Sequence, residues 1–217
     1  MSFRRYILAS RSPRRLELLQ TVVHRDLIVV SPPESSVEAG FDDCQNLMEI
    51  RQRMQEIARN KAEQVQRRLN ADEIDLNERP RTLIISADTT VIVSRPDGRP
   101  LVLGQPPESG DWQEVVSTWF QEYYAGKTHL AATALFVMTP DGRTAERLVE
   151  TQVTFHDQVT RWLNWYLLTG EPRGKAGGYA LQGAGSIFIK RVEGSLSNVV
   201  GLPIEALLDL LAEVSLK

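Results

Sequence analysis

Four stretches of the chain combine residue types that bind anions or move protons, and the first lies near the N-terminus. An apolar run at residues 6–9 predicts a strand, and Ser12-Pro13 predicts the start of a helix with serine as its N-cap. Arg14 and Arg15 then fall in the first helical turn, where the backbone N–H groups are already electropositive. A bound anion would offset this placement, and the hydroxyls of Ser10 and Ser12 would complete a phosphate site. The alternative is a solvated basic turn.

The second stretch, residues 84–90, places a carboxylate after an apolar segment. Asp88 is predicted to lie at the end of a strand, and Thr89 and Thr90 follow it. Enzymes with α/β folds place catalytic groups where strand ends open onto a cleft. Asp88 could hold a divalent cation or accept a proton from water, and Thr89 could donate to a phosphate or a base. The alternative is a turn that leads into a second strand at residues 91–94.

The remaining two stretches are loops that contain glycine. Residues 103–107 are explained as a Gly-x-Pro turn without any ligand. Residues 169–185 hold six glycines within 16 residues, which permits close approach of the backbone to a ligand. Lys175 supplies a point charge there, and the amide of Gln182 can pair with the edge of a heterocycle. A merely flexible loop is the alternative, but the apolar pattern at residues 187–189 favours a binding role.

Composition sets limits on the class of protein. The chain has 217 residues, 42% of them hydrophobic, which predicts a single domain over residues 1–217. A formal net charge of -3 argues against general binding to nucleic acid. The only cysteine, Cys44, cannot form an internal disulfide, and no apolar run is long enough to span a membrane. These features predict a cytoplasmic protein with no membrane partner.

Hydrophobic periodicity predicts which elements hold the four stretches. A long amphipathic helix is predicted over residues 47–69, where Lys61 lies, and shorter helices over 13–20, 110–124, 158–168 and 204–214. Trp162 and Trp165 share one helical spacing, which predicts that they pack in the core. Strands are predicted at residues 6–9, 27–30, 83–86, 91–94, 101–103, 129–138, 145–155 and 186–192. This order predicts an α/β (mixed α+β) fold: an elongated mixed sheet flanked by helices, with a deep cleft between two lobes.

The order of motifs resembles that of the Maf family of nucleotide pyrophosphatases over essentially the whole chain. The residues that carry the resemblance are Leu8-Ala9-Ser10-x-Ser12-Pro13-Arg14-Arg15, Lys61-Ala62, Ala87-Asp88-Thr89, Gly104-x-Pro106, Thr169-Gly170-Glu171-Pro172, Lys175-Ala176-Gly177-x-Tyr179-x-x-Gln182-Gly183 and Gly194-Ser195-x-x-Asn198-Val199-Val200-Gly201-Leu202-Pro203.

The resemblance implies hydrolysis of a nucleoside triphosphate to the monophosphate and pyrophosphate, with Mg²⁺ or Mn²⁺ and often in a homodimer. It implies that Asp88 is the catalytic carboxylate and that basic residues hold the triphosphate, namely Arg14, Arg15, Lys61 and Lys175. The specificity positions of the branch acting on dTTP and UTP correspond to Arg14, Thr89 and Gln182. The sequence leaves open whether the role is to remove non-standard nucleotides or to restrain cell division.

Three positions depart from the family pattern, and one metal ligand is ambiguous. Gln105 stands where the family usually has a lysine, Gly174 replaces an aspartate, and Ser86 replaces a glycine. The family glutamate that would join Asp88 at the metal is Glu34 or Glu38. The loss of a cation at Gln105 motivates a second hypothesis, a catalytically impaired protein that binds nucleotides and acts in regulation on the same fold.

Overall fold

The computed structural model describes residues 3–34, 40–71 and 82–216, which form one mixed sheet with helices on both faces. The strand order is β2-β1-β3-β5-β6-β7, and β4 pairs with β3 beside this path. The strands are β1 (Arg5–Leu8), β2 (Ile28–Val30), β3 (Thr82–Ser94), β4 (Pro100–Leu103), β5 (Thr128–Met138), β6 (Thr144–Phe155) and β7 (Ile189–Glu193). The helices are α1 (Pro13–Gln20), α2 (Leu47–Ala71), α3 (Trp112–Trp119), α4 (Thr160–Leu168), α5 (Leu196–Val200) and α6 (Ile204–Leu216). The α/β class and the mixed sheet predicted from sequence are confirmed.

The helix that carries the two arginines begins as its sequence predicts. Ser12 is the N-cap, and its hydroxyl accepts from the backbone N–H of Arg15 at 3.4 Å, while Pro13 occupies the first turn. No acidic residue lies in this first turn to offset the arginines. The short β1–α1 connection therefore brings two guanidinium groups to the end of a central strand.

The long helix α2 packs on one face of the sheet and presents Lys61 to it. Asn46 caps its start, since the Asn46 side-chain oxygen accepts from the Glu49 N–H at 3.0 Å. Its buried face comprises Ile50, Met54, Ala58, Ala62 and Val65, which pack with residues of β1, β3 and β5. The helix predicted over residues 47–69 is confirmed. Because Lys61 lies beside Ala62 and one turn after Ala58, its side chain leaves the edge of the apolar stripe.

Strand β3 is continuous over thirteen residues, which corrects the prediction of two separate strands at residues 83–86 and 91–94 with Asp88 at a strand end. Hydrogen-bonded pairing with β5 runs without interruption from Ile84 to Ile92. A turn at Asp88 is excluded because its backbone is held in register opposite Ala134. Asp88 and Thr89 are therefore interior strand residues whose side chains point to opposite faces of the sheet.

The other edge of β3 has a gap in its pairing. Strand β1 pairs with β3 only as far as Ile85, and β4 begins to pair at Val91. Within the described part of the chain, residues 86–90 have no strand partner on this edge. Backbone amides at the edge of a sheet are available for other partners. The gap contains Asp88 and Thr89, so the fold leaves an opening beside the two residues that the sequence singled out.

Three hydrophobic clusters meet around this gap. On one face of β3, Leu83, Ile85 and Ala87 belong to a cluster with α1 and α6, whereas Val91 and Val93 belong to another with α3 and α4. The opposite face packs under α2. Because one face of β3 passes from the first cluster to the second at Thr89, the boundary between those two clusters lies there.

Two local predictions were wrong. Residues 184–188 form a 3-10 turn before β7, where a strand beginning at residue 186 was predicted. Trp162 and Trp165 do not pack in the core but are 48% and 49% exposed. The buried face of α4 is instead Leu163, Tyr166 and Leu167, which share the same helical spacing one residue along. No helix in the described ranges is long and apolar enough to cross a membrane.

Candidate functional site

A cleft of about 850 Å³ opens at the gap in β3. Its walls come from the β1–α1 connection, the middle of β3, α2, the C-terminal end of α5, and the loops at 104–108 and 174–182. Its volume lies within the range of small-molecule sites. The cleft is lined by all the site residues that the sequence predicted outside residues 34–38, namely Ser10, Ser12, Arg14, Arg15, Lys61, Asp88, Thr89, Lys175 and Gln182.

Positive charge is in excess in the cleft. Among the lining residues that the structure describes, five side chains are cationic and only Asp88 and Glu108 are anionic; the cations are Arg11, Arg14, Arg15, Lys61 and Lys175. Like charges drawn together in a concave, partly desolvated site repel one another, so the arrangement is unfavourable unless an anion joins them. A polyanion is therefore the ligand that this surface favours.

Asp88 is buried on the α2 face of β3, in contact with Lys61. The Lys61 Nζ donates to Asp88 Oδ1 at 2.8 Å. Ser86, two residues earlier on the same face, donates its hydroxyl to the carbonyl of Ala58 at 2.6 Å. The buried Ser86 hydroxyl thus binds β3 to α2 one turn before Lys61, so the lysine and the carboxylate are held on elements that cannot easily shift apart.

Thr89 is turned to the opposite face, where it meets Arg15. The Arg15 Nη2 donates to Thr89 Oγ1 at 2.9 Å, and the Arg15 Nε donates to the carbonyl of Gly201 at 2.9 Å. Thr89 Oγ1 also lies 3.0 Å from Thr133 Oγ1 and 3.3 Å from the Gly201 carbonyl oxygen. Arg15 therefore connects α1, β3 and the end of α5, and part of its bonding capacity is used within the protein.

The hydroxyl of Ser10 is oriented by two donors. Its oxygen accepts from the backbone N–H of Ser12 at 3.1 Å and from Arg15 Nη1 at 3.2 Å. A hydroxyl has two acceptor positions and one proton. Because both acceptor positions of Ser10 are occupied, its proton remains to be donated to an anion in the cleft.

Arg14 and Lys175 lie close enough in the cleft for their positive charges to interact. The guanidinium of Arg14 makes no hydrogen bond or ion pair with any residue that the structure describes. Desolvation lowers the pKa of the Lys175 ammonium, and the nearby positive charge of Arg14 lowers it further. The Lys175 Nζ donates to the backbone carbonyl of Glu171. An anion between the two would relieve their repulsion.

Of the two glutamates considered as metal ligands, one can be placed. Glu34 is exposed and follows Pro33, a residue of the cleft wall, but does not itself line the cleft. Glu38 lies outside the described residues. In the described ranges no three His, Cys, Asp or Glu side chains converge in a way that could hold a metal ion.

Three residues of the site, Arg11, Thr133 and Gly201, were not among the site residues predicted from the sequence. Arg11 lines the cleft and donates to the carbonyl of Pro33 at 3.3 Å. Thr133 and Gly201 complete the hydrogen bonds around Thr89. In the sequence, Gly201 is marked only by its place in the motif that begins at Gly194. That motif does not indicate which residues Gly201 contacts.

The mixed sheet, the gap in β3 and the cation-rich cleft together define an α/β protein with a cleft suited to an anionic small molecule. The family described as Maf-like protein matches residues 5–214. The chain belongs to this family, as its motifs predicted.

Curated relatives cover nearly the same length. The "dTTP/UTP pyrophosphatase" of Chelativorans sp. (strain BNC1) is 35% identical over 95% of this chain and 89% of its own. The protein of the same name from Clostridium beijerinckii is 32% identical over 96% of this chain and 98% of its own. Among solved structures, a nucleoside-triphosphatase / dITP/XTP pyrophosphatase from Mycobacterium abscessus matches with a TM-score of 0.43, at 13% identity over 98% of this chain and 97% of that one.

Proposed function

We propose that the protein hydrolyses nucleoside triphosphates to the monophosphate and pyrophosphate, with dTTP and UTP, or modified pyrimidine nucleotides, as substrates. One observation carries the proposal: a buried carboxylate, Asp88, lies within a cleft that is otherwise rich in cations. The cations suit a triphosphate, and the carboxylate suits activation of water. The names of the two relatives support the choice of reaction and of base.

The proposed reaction is an in-line attack of water on the α-phosphorus. The bond from the water oxygen to the α-phosphorus forms as the bond to the bridging α–β oxygen breaks, and pyrophosphate leaves. Lys61 occupies Oδ1 of Asp88, and we assign the second carboxylate oxygen to the water, whose proton it accepts or orients. Arg14, Lys61 and Lys175 stabilise the charge that develops on the leaving pyrophosphate.

Asp88 also suits a divalent cation, Mg²⁺ or Mn²⁺. Mg²⁺ in phosphate sites is held by one or two carboxylates together with phosphate oxygens. A single buried carboxylate opposite a triphosphate site fits that donor set, and Glu34 or Glu38 is the proposed second carboxylate. When bound, the ion supplies additional neutralisation of phosphate charge.

Base selectivity is assigned to Arg14, Thr89 and Gln182. Gln182 is exposed on the cleft wall, where its amide presents both a donor and an acceptor. Thr89 is fixed by Arg15 and Thr133, so its hydroxyl has a defined direction. A pyrimidine edge would meet one side chain from β3 and one from the loop at residues 174–182.

The test is a substrate panel with pyrophosphate as the product measured. Purified protein is incubated with Mg²⁺ and dTTP, UTP, CTP, GTP or 7-methyl-GTP, and released pyrophosphate and monophosphate are quantified. We expect dTTP and UTP to give the highest kcat/KM. Release of orthophosphate in place of pyrophosphate, or preference for a purine nucleotide, would overturn the assignment.

Gln105 supports a second candidate function. It lines the cleft as a neutral side chain, so the triphosphate lacks one cation that the family pattern supplies. A protein that binds nucleotides tightly without turnover would act as a regulator. Micromolar or tighter binding of UTP with no pyrophosphate release would favour this candidate.

We further propose that the chain acts as one domain in the cytoplasm and forms a homodimer, with removal of unwanted nucleotides as its role. The single sheet supports one domain, and the free Cys44 suits a reducing compartment. Size-exclusion chromatography with light scattering measures the oligomeric state directly.

A further inference from the structure

Glu171 connects the two ends of the loop that carries Lys175 and Gln182. Its Oε2 accepts from the backbone N–H of Ala184 at 2.7 Å, and its Oε1 accepts from the N–H of Gly185 at 2.8 Å. Because the carboxylate precedes the two amides by thirteen and fourteen residues, it closes the loop 171–185 on itself.

The same residue also holds Lys175 directly. The Lys175 Nζ donates to the backbone carbonyl of Glu171, while the hydroxyl of Tyr166 donates to its Oε1 at 3.2 Å. One residue thus fixes the ammonium at the start of the loop through its backbone and the far end through its side chain. We call these hydrogen bonds of the Glu171 carboxylate to the Ala184 and Gly185 amides the clasp. Gln182 precedes the two clasped amides by only two and three residues.

The geometry around Gly183 shows how closely the carboxylate is fitted. A Cβ added to Gly183 would lie 2.2 Å from Glu171 Oε2 and 2.6 Å from the carboxyl carbon. The backbone of Gly183 has φ -126 and ψ -158, which is extended and open to any residue. Glycine is therefore required here by the close approach of the carboxylate and not by its own conformation.

Two further anchors hold the middle of the loop. Tyr124 donates its hydroxyl to the carbonyl of Gly177 at 2.8 Å, and the Tyr179 hydroxyl lies 2.8 Å from His129 Nε2. Lys175 therefore lies in the sequence between Glu171 and the first anchored residue, Gly177. Gln182 lies between the second anchored residue, Tyr179, and the clasped amides.

We propose that Glu171 is a positioning residue for substrate binding, which acts by ordering the loop 171–185 so that Lys175 and Gln182 meet the nucleotide. This proposal rests on the proposed function, since it assigns those two side chains to the substrate. Glu171 itself does not line the cleft. Its contribution is to pre-order the loop before binding, which spares the ligand the entropic cost of ordering it.

The first test variant is Glu171→Gln. A glutamine has one side-chain oxygen and an NH₂ group, so it can accept from only one of the two amides and sets a donor against the other. We expect KM for UTP to rise about 10-fold while kcat stays within about 3-fold, because Asp88 is held by β3 and α2. The matched control is Glu114→Gln, which makes the same charge change at an exposed position on α3.

The second variant, Gly183→Ala, disturbs the clasp from the opposite side. Its methyl group must displace the Glu171 carboxylate, so we expect the same rise in KM without any change of charge. Amide hydrogen exchange of residues 172–185 in the ligand-free protein reports on the loop without any reaction. We expect that exchange to be about 10-fold faster in both variants and unchanged elsewhere.

The outcomes separate this proposal from the proposed function. Unchanged exchange in Glu171→Gln would show that Glu171 does not order the loop, and faster exchange with unchanged KM would overturn its role in positioning the substrate. If KM rises and kcat falls by the same factor, and amide exchange becomes faster throughout the protein, Glu171 stabilises the whole fold and the positioning role is overturned. If the wild type releases no pyrophosphate, the proposed function fails, and equilibrium binding of UTP then tests the role of Glu171. Weaker binding in both variants than in Glu114→Gln would support the clasp, and equal binding would overturn it.

Discussion

The Lys61 Nζ lies 2.8 Å from Asp88 Oδ1, and only 12% and 9% of the two side chains are exposed. Burying two charges costs desolvation free energy that an exposed ion pair does not lose. Apolar residues of similar volume are therefore often as stabilising as a buried ion pair, or more so. The pair joins the middle of α2 to the middle of β3 at the cleft. Its position is explained by chemistry in the cleft more readily than by stability.

Asp88→Asn should leave a folded protein with very little activity. We expect kcat to fall about 1000-fold, because the carboxylate that activates water is lost. Unfolding should become easier by about 3 kcal/mol, since Lys61 keeps a buried charge without its partner. Pyrophosphate release and urea denaturation measure the two effects. Asp97→Asn, at an exposed hairpin turn, should change neither greatly, and near-normal turnover by Asp88→Asn would contradict the assignment.

Arg14 and Arg15 should give different responses to the same substitution. Arg15→Lys loses the fork that reaches Gly201 and Thr89, so we expect a loss of about 1–3 kcal/mol of stability together with activity. Arg14→Lys should raise KM several-fold and leave the melting temperature unchanged, since no described residue depends on its guanidinium. Thermal denaturation and steady-state kinetics of both variants distinguish the structural role of Arg15 from the ligand-binding role of Arg14. Equal losses of stability in the two variants would contradict this difference in roles.

Gln105→Lys should strengthen binding of the triphosphate. The substitution adds a cation to the cleft wall, and a charged hydrogen bond to phosphate is worth about 1.5–3 kcal/mol when well aligned. We expect KM for UTP to fall about 10-fold at low salt, with the gain shrinking as ionic strength rises. Gln113→Lys adds the same charge on exposed α3 as a control. A rise in KM, or an equal fall in both variants, would argue against a phosphate beside residue 105.

Acid stability should depend on His129. Burial lowers the pKa of its ring from 6.5 to about 3, so the native protein keeps the ring neutral in mild acid. Below pH 6.5 the unfolded chain binds a proton that the native state does not, so stability falls as pH decreases toward 3.

Between pH 7.5 and 5.0 this single group should remove about 2 kcal/mol from the free energy of unfolding. His129→Gln should be less stable at pH 7.5 but lose less on acidification, as measured by urea denaturation at both values. His24→Gln, at an exposed position, serves as the control. An unchanged slope in His129→Gln would contradict the assignment.

Local signals in the sequence were sufficient for elements whose own residues decide them. Ser12 and Pro13 mark the start of α1 because the cap and the fixed φ act within one turn. The apolar spacing from Leu47 onward similarly predicts α2, since a stripe of that length has one way to be buried.

Features decided by distant partners could not be predicted in the same way. The apparent turn at Asp88 is overridden by hydrogen bonds from β5, about 45 residues later in the chain. Trp162 and Trp165 have helical spacing, but so do Leu163, Tyr166 and Leu167, and only tertiary packing decides which set is buried. Arg15 was expected to meet an anion, and its contact with the Gly201 carbonyl, 186 residues away, has no local signal.

The gap in β3 also bears on which molecules the sheet can admit at its edge. The unpaired N–H and C=O groups of a sheet edge can pair with a strand of another chain, and many β proteins aggregate in this way. Here the open stretch is five residues, or about 17 Å, and β1 and β4 close it at both ends. An incoming strand would collide with those two neighbours, whereas a small molecule needs no more length than the gap provides. The same break in pairing is thus open to a ligand and closed to polymerisation.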